Sequence, residues 1–505
     1  MMLIDQEARD KIMKDTGNVV ISASAGSGKT TIMVKKMKKV LEEIKSHKTV
    51  AAITFTNKAA EEIKKKANDE DIQQEFVTMT NDAFIEHEII RPFITNTYGE
   101  IYKDDFTIVY DHKFPNFASG MQSIVYQNKL GVYQNIRTNF KFQLAYDILR
   151  NNIAACEYLQ TKYTVLYLDE YQDSDQDMHQ LFMYLKDELK IKLFIVGDAK
   201  QAIYLWRGAQ KNIFELLEQD DMNHYELIKN FRSHDEIVNY ANLIHNGNYF
   251  NAEYQESVNH LIHCKTNDFV SSFTRMVETG DIKLDKEITI IINVNDEARR
   301  CTDKLNREGY NFQFIPKTPI DDNTQNSHLL HQLACYILDE NYTIYDLIDS
   351  INADSRLQMV MSIEEIICKL SGSLEYSEDF LKMTMRKLEA LLEIEFTMDE
   401  IKLFYETLQD EEYHAAFIAT EDIHKVMTVF ASKGLEFNQV ISFSYYYNMK
   451  SEEKRNNHYV CITRAEEKFI MINSTDTYED FIVEESRKLG MKHPNYLFKK
   501  IDHLM

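Results

Sequence analysis

Short apolar runs recur along the chain, each followed by a stretch with helical spacing. They are VVISA at 19–23, AAITF at 51–55, VLYLDE at 165–170, LFIVGD at 193–198, ITIIINV at 288–294, VMTVFA at 426–431, VISFSY at 440–445 and FIMIN at 469–473. Runs this short and this apolar suit strands covered on both faces, which parallel sheets flanked by helices provide. The pattern therefore predicts an α/β protein. The runs fall into two groups, one ending near 223 and the other starting near 224, and each group is interrupted by a longer segment of helical period. The expectation is two parallel-sheet cores, 1–81 with 161–223 and 224–318 with 423–505. Helical insertions are expected at 82–160 and 319–422. No fixed-period repeat or low-complexity stretch complicates this division.

Several of the runs end in residues that carry chemistry. After VVIS comes Ala23-Ser24-Ala25-Gly26-Ser27-Gly28-Lys29-Thr30, followed by Thr31 and the helical stretch IMVKKMKKVLEEI. This is the phosphate-binding pattern GxxxxGK[ST] with Ala in place of the first Gly. Gly26 and Gly28 let backbone N–H groups turn toward an anion, Lys29 reaches the terminal phosphates, and the Thr30 hydroxyl suits Mg²⁺. A glycine-containing helix cap is the plain alternative, but strand, loop and helix are all in place here.

The run VLYL ends in Asp169-Glu170, within DEYQD. Such a pair is commonly a solvated strand end. About 140 residues after a phosphate loop, it suits a metal-shell carboxylate, Asp169, beside a water-activating one, Glu170. After LFIV comes Gly197-Asp198-Ala199-Lys200-Gln201-Ala202-Ile203-Tyr204-Leu205-Trp206-Arg207-Gly208, with the single Trp of the chain. An amide followed by aromatics suits a coupler between a nucleotide and a second ligand. On these residues alone, core packing of Tyr204 and Trp206 is the simpler reading.

Composition narrows the classes. The 505 residues are 44% hydrophobic and 27% charged, which excludes a disordered chain. The 57 basic against 81 acidic side chains leave a net charge of −24, unlike a non-specific DNA coater. A local basic or aromatic groove would still hold nucleic acid, because screening in cell-like salt acts over about 8 Å. The six cysteines are scattered with no CxxC pair, which argues against a disulfide framework or a Cys-rich zinc site and fits a cytoplasmic setting. No apolar run reaches about 18 residues, so no membrane span is expected.

The three segments resemble motifs I, II and III of superfamily 1 helicases of the UvrD/Rep type, and the rest of the set follows in order. Thr54-Phe55-Thr56-Asn57-Lys58-Ala59-Ala60 resembles motif Ia, Asn230-Phe231-Arg232-Ser233 motif IV, Thr428 to Phe437 motif V, and Tyr459 to Ala465 motif VI. The resemblance implies two RecA-like cores (1A, 2A) with insertions (1B, 2B), binding ATP with Mg²⁺ and DNA.

It also implies roles. Ala25, Gly26, Ser27, Gly28, Lys29, Thr30 and Thr31 cradle the nucleotide, and Thr30 and Asp169 hold the metal. Lys29, Asp169, Glu170, Gln201, Arg232 and Arg464 act in hydrolysis, the two arginines as fingers from the second core. Phe231 stacks on the nucleotide base and Glu436 lies near the nucleotide. Phe55, Thr56, Asn57, Tyr204 and Trp206 line a single-strand track, and Arg207 links the two sites.

Three departures stand out. Phe430 replaces the usual His of motif V, and Ala199-Lys200 the usual Pro pair of motif III. The upstream base-reading Gln has no clear match, since Gln6 lies 23 residues before Lys29 and Lys11 falls nearer the usual spacing.

The chain as a whole is similar to the helicase-like subunits of Gabija antiphage systems. That similarity extends to stretches outside the motifs, such as NDAFIEHEIIRPFI, FKFQLAYDIL and NFQFIPKTP. It implies a DNA-stimulated ATPase or 3′→5′ helicase working with a GajA-like nuclease of the OLD type with a Toprim domain. A free-standing repair helicase and a nucleotide-dependent scaffold with little unwinding are the alternatives.

Overall fold

The computed structural model describes residues 5–203, 208–245, 247–253, 259–321, 324, 326–351, 357–370, 376–392, 394–418 and 424–504. The first half contributes β1 (Val19–Ala23), β2 (Thr49–Thr54), β3 (Val77–Thr80), β4 (Thr107–Phe114), β5 (Lys129–Tyr133), β6 (Tyr163–Leu168), β7 (Lys192–Gly197) and β8 (Asn223–Leu227). The second contributes β9 (Leu261–Lys265), β10 (Ile288–Ile291), β11 (Phe312–Ile315), β12 (His424–Met427), β13 (Phe437–Phe443), β14 (Ala465–Asn473) and β15 (Lys499–Asp502).

These strands build two parallel sheets. One has the order β3-β2-β6-β7-β1-β8 and the other β11-β12-β10-β13-β14-β9-β15. Helices cover both faces, so the central strands are buried throughout: Val19, Val20, Ile21, Leu166, Leu168, Ile195, Ile290, Val440 and Ile470 are nearly or fully inaccessible. This is the expected α/β class, with two RecA-like cores.

The expected division between 223 and 224 needs correction. β8 pairs in register with β1, Val19 opposite Asn223 through Ala23 opposite Leu227, so the first sheet takes its last strand from beyond that point. Its sequence, NHYEL, is polar because it is an edge strand with only Leu227 buried, and polar edges resist further pairing.

The insertion expected to be helical at 82–160 also contains the paired strands β4 and β5. Its helical part includes a π-turn over Glu86–Ile90. There the buried Glu86 accepts from Arg91 Nε at 2.8 Å, and Glu88 pairs with Lys162 at 2.8 Å. By contrast, the described part of 319–422 beyond the short turn Pro319–Asp321 is built of α-helices, from Ser327–Leu338 to Glu411–His414. These helices close on their own apolar core of residues such as Leu333, Ile363, Leu381, Leu388 and Phe404.

Candidate nucleotide site between the two cores

In a parallel sheet, ligands bind at the C-terminal ends of the strands, where loops open toward helix N-termini. The first sheet follows this rule. β1 leads into the phosphate loop, β6 into Asp169-Glu170, β7 into Asp198–Gln201, and β2 into Phe55-Thr56. The second sheet meets it with its opposite edge, because Glu436 and Arg464 immediately precede β13 and β14.

The phosphate loop has the shape its glycines permit. Gly26 and Gly28 adopt φ of 66° and 77°, a region costly for residues with a Cβ. Gly28 caps the helix Lys29–Glu43, whose first N–H groups lack partners and carry the positive end of the helix dipole. Gly26 is also fixed by space. A Cβ there would lie 2.5 Å from Asn230 Oδ1 and 2.9 Å from Arg232 Cβ, because the Asn230–Arg232 segment packs directly on the loop. Phe231 N–H donates to the Gly26 carbonyl at 2.8 Å. Ser27 is fully buried with its hydroxyl unpartnered. A cradle only glycine can line, together with an orphaned hydroxyl, fits a bound phosphate chain. Ala25 packs into the apolar cluster of the second core, beside Ile203 and Tyr459.

Lys29 Nζ stands 3.7 Å from Glu170 Oε1, and Lys433 Nζ is 3.7 Å from Glu170 Oε2. Lys433 also pairs with Asp173 across the cleft. Burial pushes the Glu170 carboxyl up, but Lys29 and Lys433 outweigh it and hold the group ionised. Burial and the charge of Glu170 push Asp169 the other way, to a higher pKa. Asp169 accepts the Glu170 N–H at 2.8 Å. A buried carboxylate in this state gains most from a cation, so Asp169 with Thr30, the second residue of the helix, fits a divalent ion.

The second half delivers two arginines. Arg464 is 2% exposed. It donates to the carbonyls of Val460 and Leu435 at 3.1 Å and to Gln201 Oε1 at 3.3 Å. Gln201 in turn donates to Asp198 Oδ2 at 2.7 Å, so Gln201 bridges the two halves. Burial and the neighbouring Arg232 pull Arg464 down to about 10, still a cation at neutral pH. Arg232 pairs with Glu436 and donates to the Thr463 carbonyl at 3.1 Å. Its loop is set by Asn230, whose Oδ1 accepts the N–H groups of Arg232 and Ser233 at 2.7 and 2.9 Å.

The structure thus brings Lys29, Asp169, Glu170, Gln201, Arg232, Glu436 and Arg464 into one cleft. Phe231, 53% exposed, stands at its mouth. Phe55 is partly buried against the first core, and the Thr56 hydroxyl caps the helix Asn57–Asp69 by accepting Ala59 N–H at 3.2 Å. Tyr204, Trp206 and Arg207 lie outside the described residues, as does the side chain of Asn57.

Two residues were missed: Lys433, inside the motif V segment, and Arg9. Arg9, on the helix Gln6–Lys14, donates to the Ser27 carbonyl and lies over the Phe231 ring at 5.3 Å. The neighbours weighed from the sequence turn elsewhere: Gln6 bonds Asp10, and Lys11 pairs with Glu7 in solvent. The signal available was position alone, one helical turn after Gln6 on the helix that precedes the loop.

Arg464, next to a strand of the second sheet, and Arg232, held against the second core by Glu436 and the Thr463 carbonyl, separate this arrangement from single-core phosphate-loop kinases. The chain is a P-loop ATPase of the UvrD/PcrA-like helicase class. Residues 5–207 match the AAA domain family. Over 491 residues the chain is 41% identical to Gabija protein GajB of Bacillus cereus (strain VD045), covering 96% of this chain and 99% of that one. It belongs to the GajB family.

It is also 22% identical to the ATP-dependent DNA helicase PcrA of Bacillus subtilis (strain 168), over 93% of this chain and 82% of that protein. A DEAD box protein from Methanococcus jannaschii superposes with a TM-score of 0.33 at 11% identity, over 98% of this chain and 91% of that one, too loose a match to build on. Among the described residues no helix is long and apolar enough to cross a membrane.

Proposed function

We propose that this chain is the DNA-stimulated ATPase, or 3′→5′ helicase, of a Gabija-type defence complex. It would act on single strands or DNA ends with an OLD-type Toprim nuclease as partner. The observation that carries the reading is the convergence of Arg232 and Arg464 on the loop and acids of the other core. Fingers donated across a cleft make hydrolysis depend on how the two cores are docked, and a polymer bound across both cores controls that docking.

In this reading ATP occupies the loop Ala25–Thr31, with its base against Phe231. Mg²⁺ is held by Thr30 and Asp169, and Glu170 takes the proton of the attacking water. Gln201, Arg232 and Arg464 stabilise charge on the transferring phosphate. Phe55, Thr56, Asn57, Tyr204, Trp206 and Arg207 face the strand. The cores are divided as 1–81 with 161–227 and 228–318 with 423–505, the first boundary moved to include β8.

The test is steady-state ATPase with and without single-stranded DNA, following the fluorescence of the single Trp206 in the same titration. Stimulation with quenching is expected, since bases stacked on the indole change its emission. An ATPase indifferent to DNA, with a silent Trp206, refutes the strand reading. Co-purification with the product of a neighbouring nuclease gene tests the partner.

A further inference from the structure

We propose that His234 and His260, whose rings lie face to face on the second core, are positioning residues that clamp the loop of Arg232 for hydrolysis. This rests on the reading above of Arg232 as a finger.

Arg232 sits on the stretch of chain that crosses from one core to the other. β8, ending at Leu227, belongs to the first sheet. The helix Asp235–His245 packs on the second core through Ile237, Tyr240 and Ala241. The near side of the crossing is tied to the first core. Asp5 accepts the N–H groups of Ile228 and Lys229 at 2.9 and 2.7 Å, and Phe231 N–H donates to the Gly26 carbonyl at 2.8 Å. The far side is tied to the second core, two residues after Arg232. His234 N–H donates to the Glu466 carbonyl at 2.7 Å. The His234 ring stacks on the ring of His260, with centroids 3.5 Å apart and planes 5° from parallel. Arg232 is thus suspended between an anchor on each core.

The far anchor is built to hold one geometry. Glu236 N–H donates to His234 Nδ1 at 3.3 Å, and the buried Glu236 carboxylate accepts His260 N–H at 2.9 Å. His260 Nδ1 donates to the Glu467 carbonyl at 2.6 Å. Glu466 and Glu467 lie at the start of β14, just after Arg464. The clamp therefore fixes the loop of Arg232 to the same strand that follows the other arginine, and sets the two fingers relative to each other. Arg232 depends on such support. Its Nε is buried without a partner, while the rest of the guanidinium meets Glu436 and the Thr463 carbonyl.

The pair serves geometry rather than a metal ion. Imidazole lone pairs lie in the ring plane, so two parallel rings do not converge on one ion, and both Nδ1 atoms are already engaged.

The experiment measures kcat and KM for ATP in the full-length variants His234→Asn, His260→Ala, His260→Phe and Arg232→Ala. Asn at 234 keeps an acceptor at the start of the helix while removing the ring. His234→Asn and His260→Ala should each lower kcat by roughly 10-fold or more, with KM within about twofold of wild type, because displacing a catalytic group by about 1 Å can cost 10²-fold. Affinity for a fluorescent ADP analogue should stay near wild type. His260→Phe, which keeps a flat ring against His234, should recover most of the loss. Either histidine change should cost little more in an Arg232→Ala background, since both act through the same group. The proposal is overturned if the single histidine variants turn over ATP like wild type. It is also overturned if kcat falls only in step with nucleotide affinity and melting temperature, or if the loss is undiminished in the Arg232→Ala background, since the rings would then serve the fold alone. Wild-type turnover in Arg232→Ala would sink the finger reading itself, whereas a slow Arg232→Ala beside fast histidine variants removes only the clamp.

Discussion

The guanidinium of Arg9 lies 5.3 Å from the centroid of the Phe231 ring, and its other end is tied to the Ser27 carbonyl of the phosphate loop. Its Nε is buried without a partner. The first helix, the loop and the segment before Arg232 thus meet at one point. A base stacked on Phe231 would come within reach of the guanidinium. Arg9→Ala should weaken nucleotide binding by about 0.5–2 kcal/mol, the range of a cation–π contact, or roughly 2- to 30-fold in Kd. Arg9→Lys should restore little, because a point charge cannot both stack and hold Ser27. Titration with a fluorescent ADP analogue reads this directly. Unchanged affinity in Arg9→Ala would reduce the contact to packing.

Lys29→Ala and Glu170→Gln should each lower ATP turnover by at least about 10²-fold, the usual loss when a preorganised charge-stabilising group is removed. Both side chains face the cleft, so melting temperatures should move little. Glu170→Gln is the sharper of the two. Lys29 and Lys433 hold Glu170 ionised and ready to accept a proton, and the amide cannot accept one. Near-normal turnover in Glu170→Gln would remove the water-activation role.

Much of this arrangement was legible in the sequence because its strands are apolar on both faces and end in motif residues. Val19–Ala23 and Tyr163–Leu168 show this, with burial nearly continuous along each strand. What escaped was mostly polar or short, although the buried interior strand β9 (LIHCK), with a histidine at its centre, went unread too. β3 (VTMT), β8 (NHYEL) and β15 (KKID) are edge strands without an apolar run, and their pairing is decided by neighbours far away in the chain. Arg9 escaped for a related reason. A charged residue on an exposed-looking helix gives no periodic signal, and only the packing of Phe231 on Gly26 reveals what it faces.

Arg232 and Arg464 should separate under mutation, because their surroundings differ. Arg232 is partly exposed and pairs with a half-exposed Glu436. Arg232→Ala should therefore suppress turnover while nucleotide affinity and melting temperature stay near wild type. Arg464 is buried and satisfies the carbonyls of Val460 and Leu435. Arg464→Ala should suppress turnover as well, and also destabilise the second core by about 1–3 kcal/mol, the penalty of leaving buried acceptors unpaired. Turnover, analogue binding and thermal unfolding measured side by side distinguish them. A melting temperature unchanged in Arg464→Ala would contradict the buried geometry.

Acid should weaken the second core through His458. Its ring is fully buried, stacked 4.3 Å from Tyr447 and bonded through Nε2 to the Tyr478 hydroxyl, while Nδ1 has no partner. Burial lowers the His458 pKa to about 3, against about 6.5 in an unfolded chain. The sign follows from proton counts. Above about 6.5 neither state is protonated and His458 leaves stability independent of pH. Between about 6.5 and 3 the unfolded chain binds a proton that the folded one refuses, so stability falls as pH drops, by up to about 1.4 kcal/mol per unit. His263, bonded to the Tyr240 hydroxyl, packed against Tyr478 and also held neutral by burial, adds to the slope. Urea unfolding at pH 7.5 and 5.5 should show the loss, and His458→Gln, which cannot titrate, should shrink it. The comparison between variants isolates His458 from the carboxylates, whose titration is common to both. Equal losses in wild type and His458→Gln would show that His458 is not the group whose protonation loosens this core.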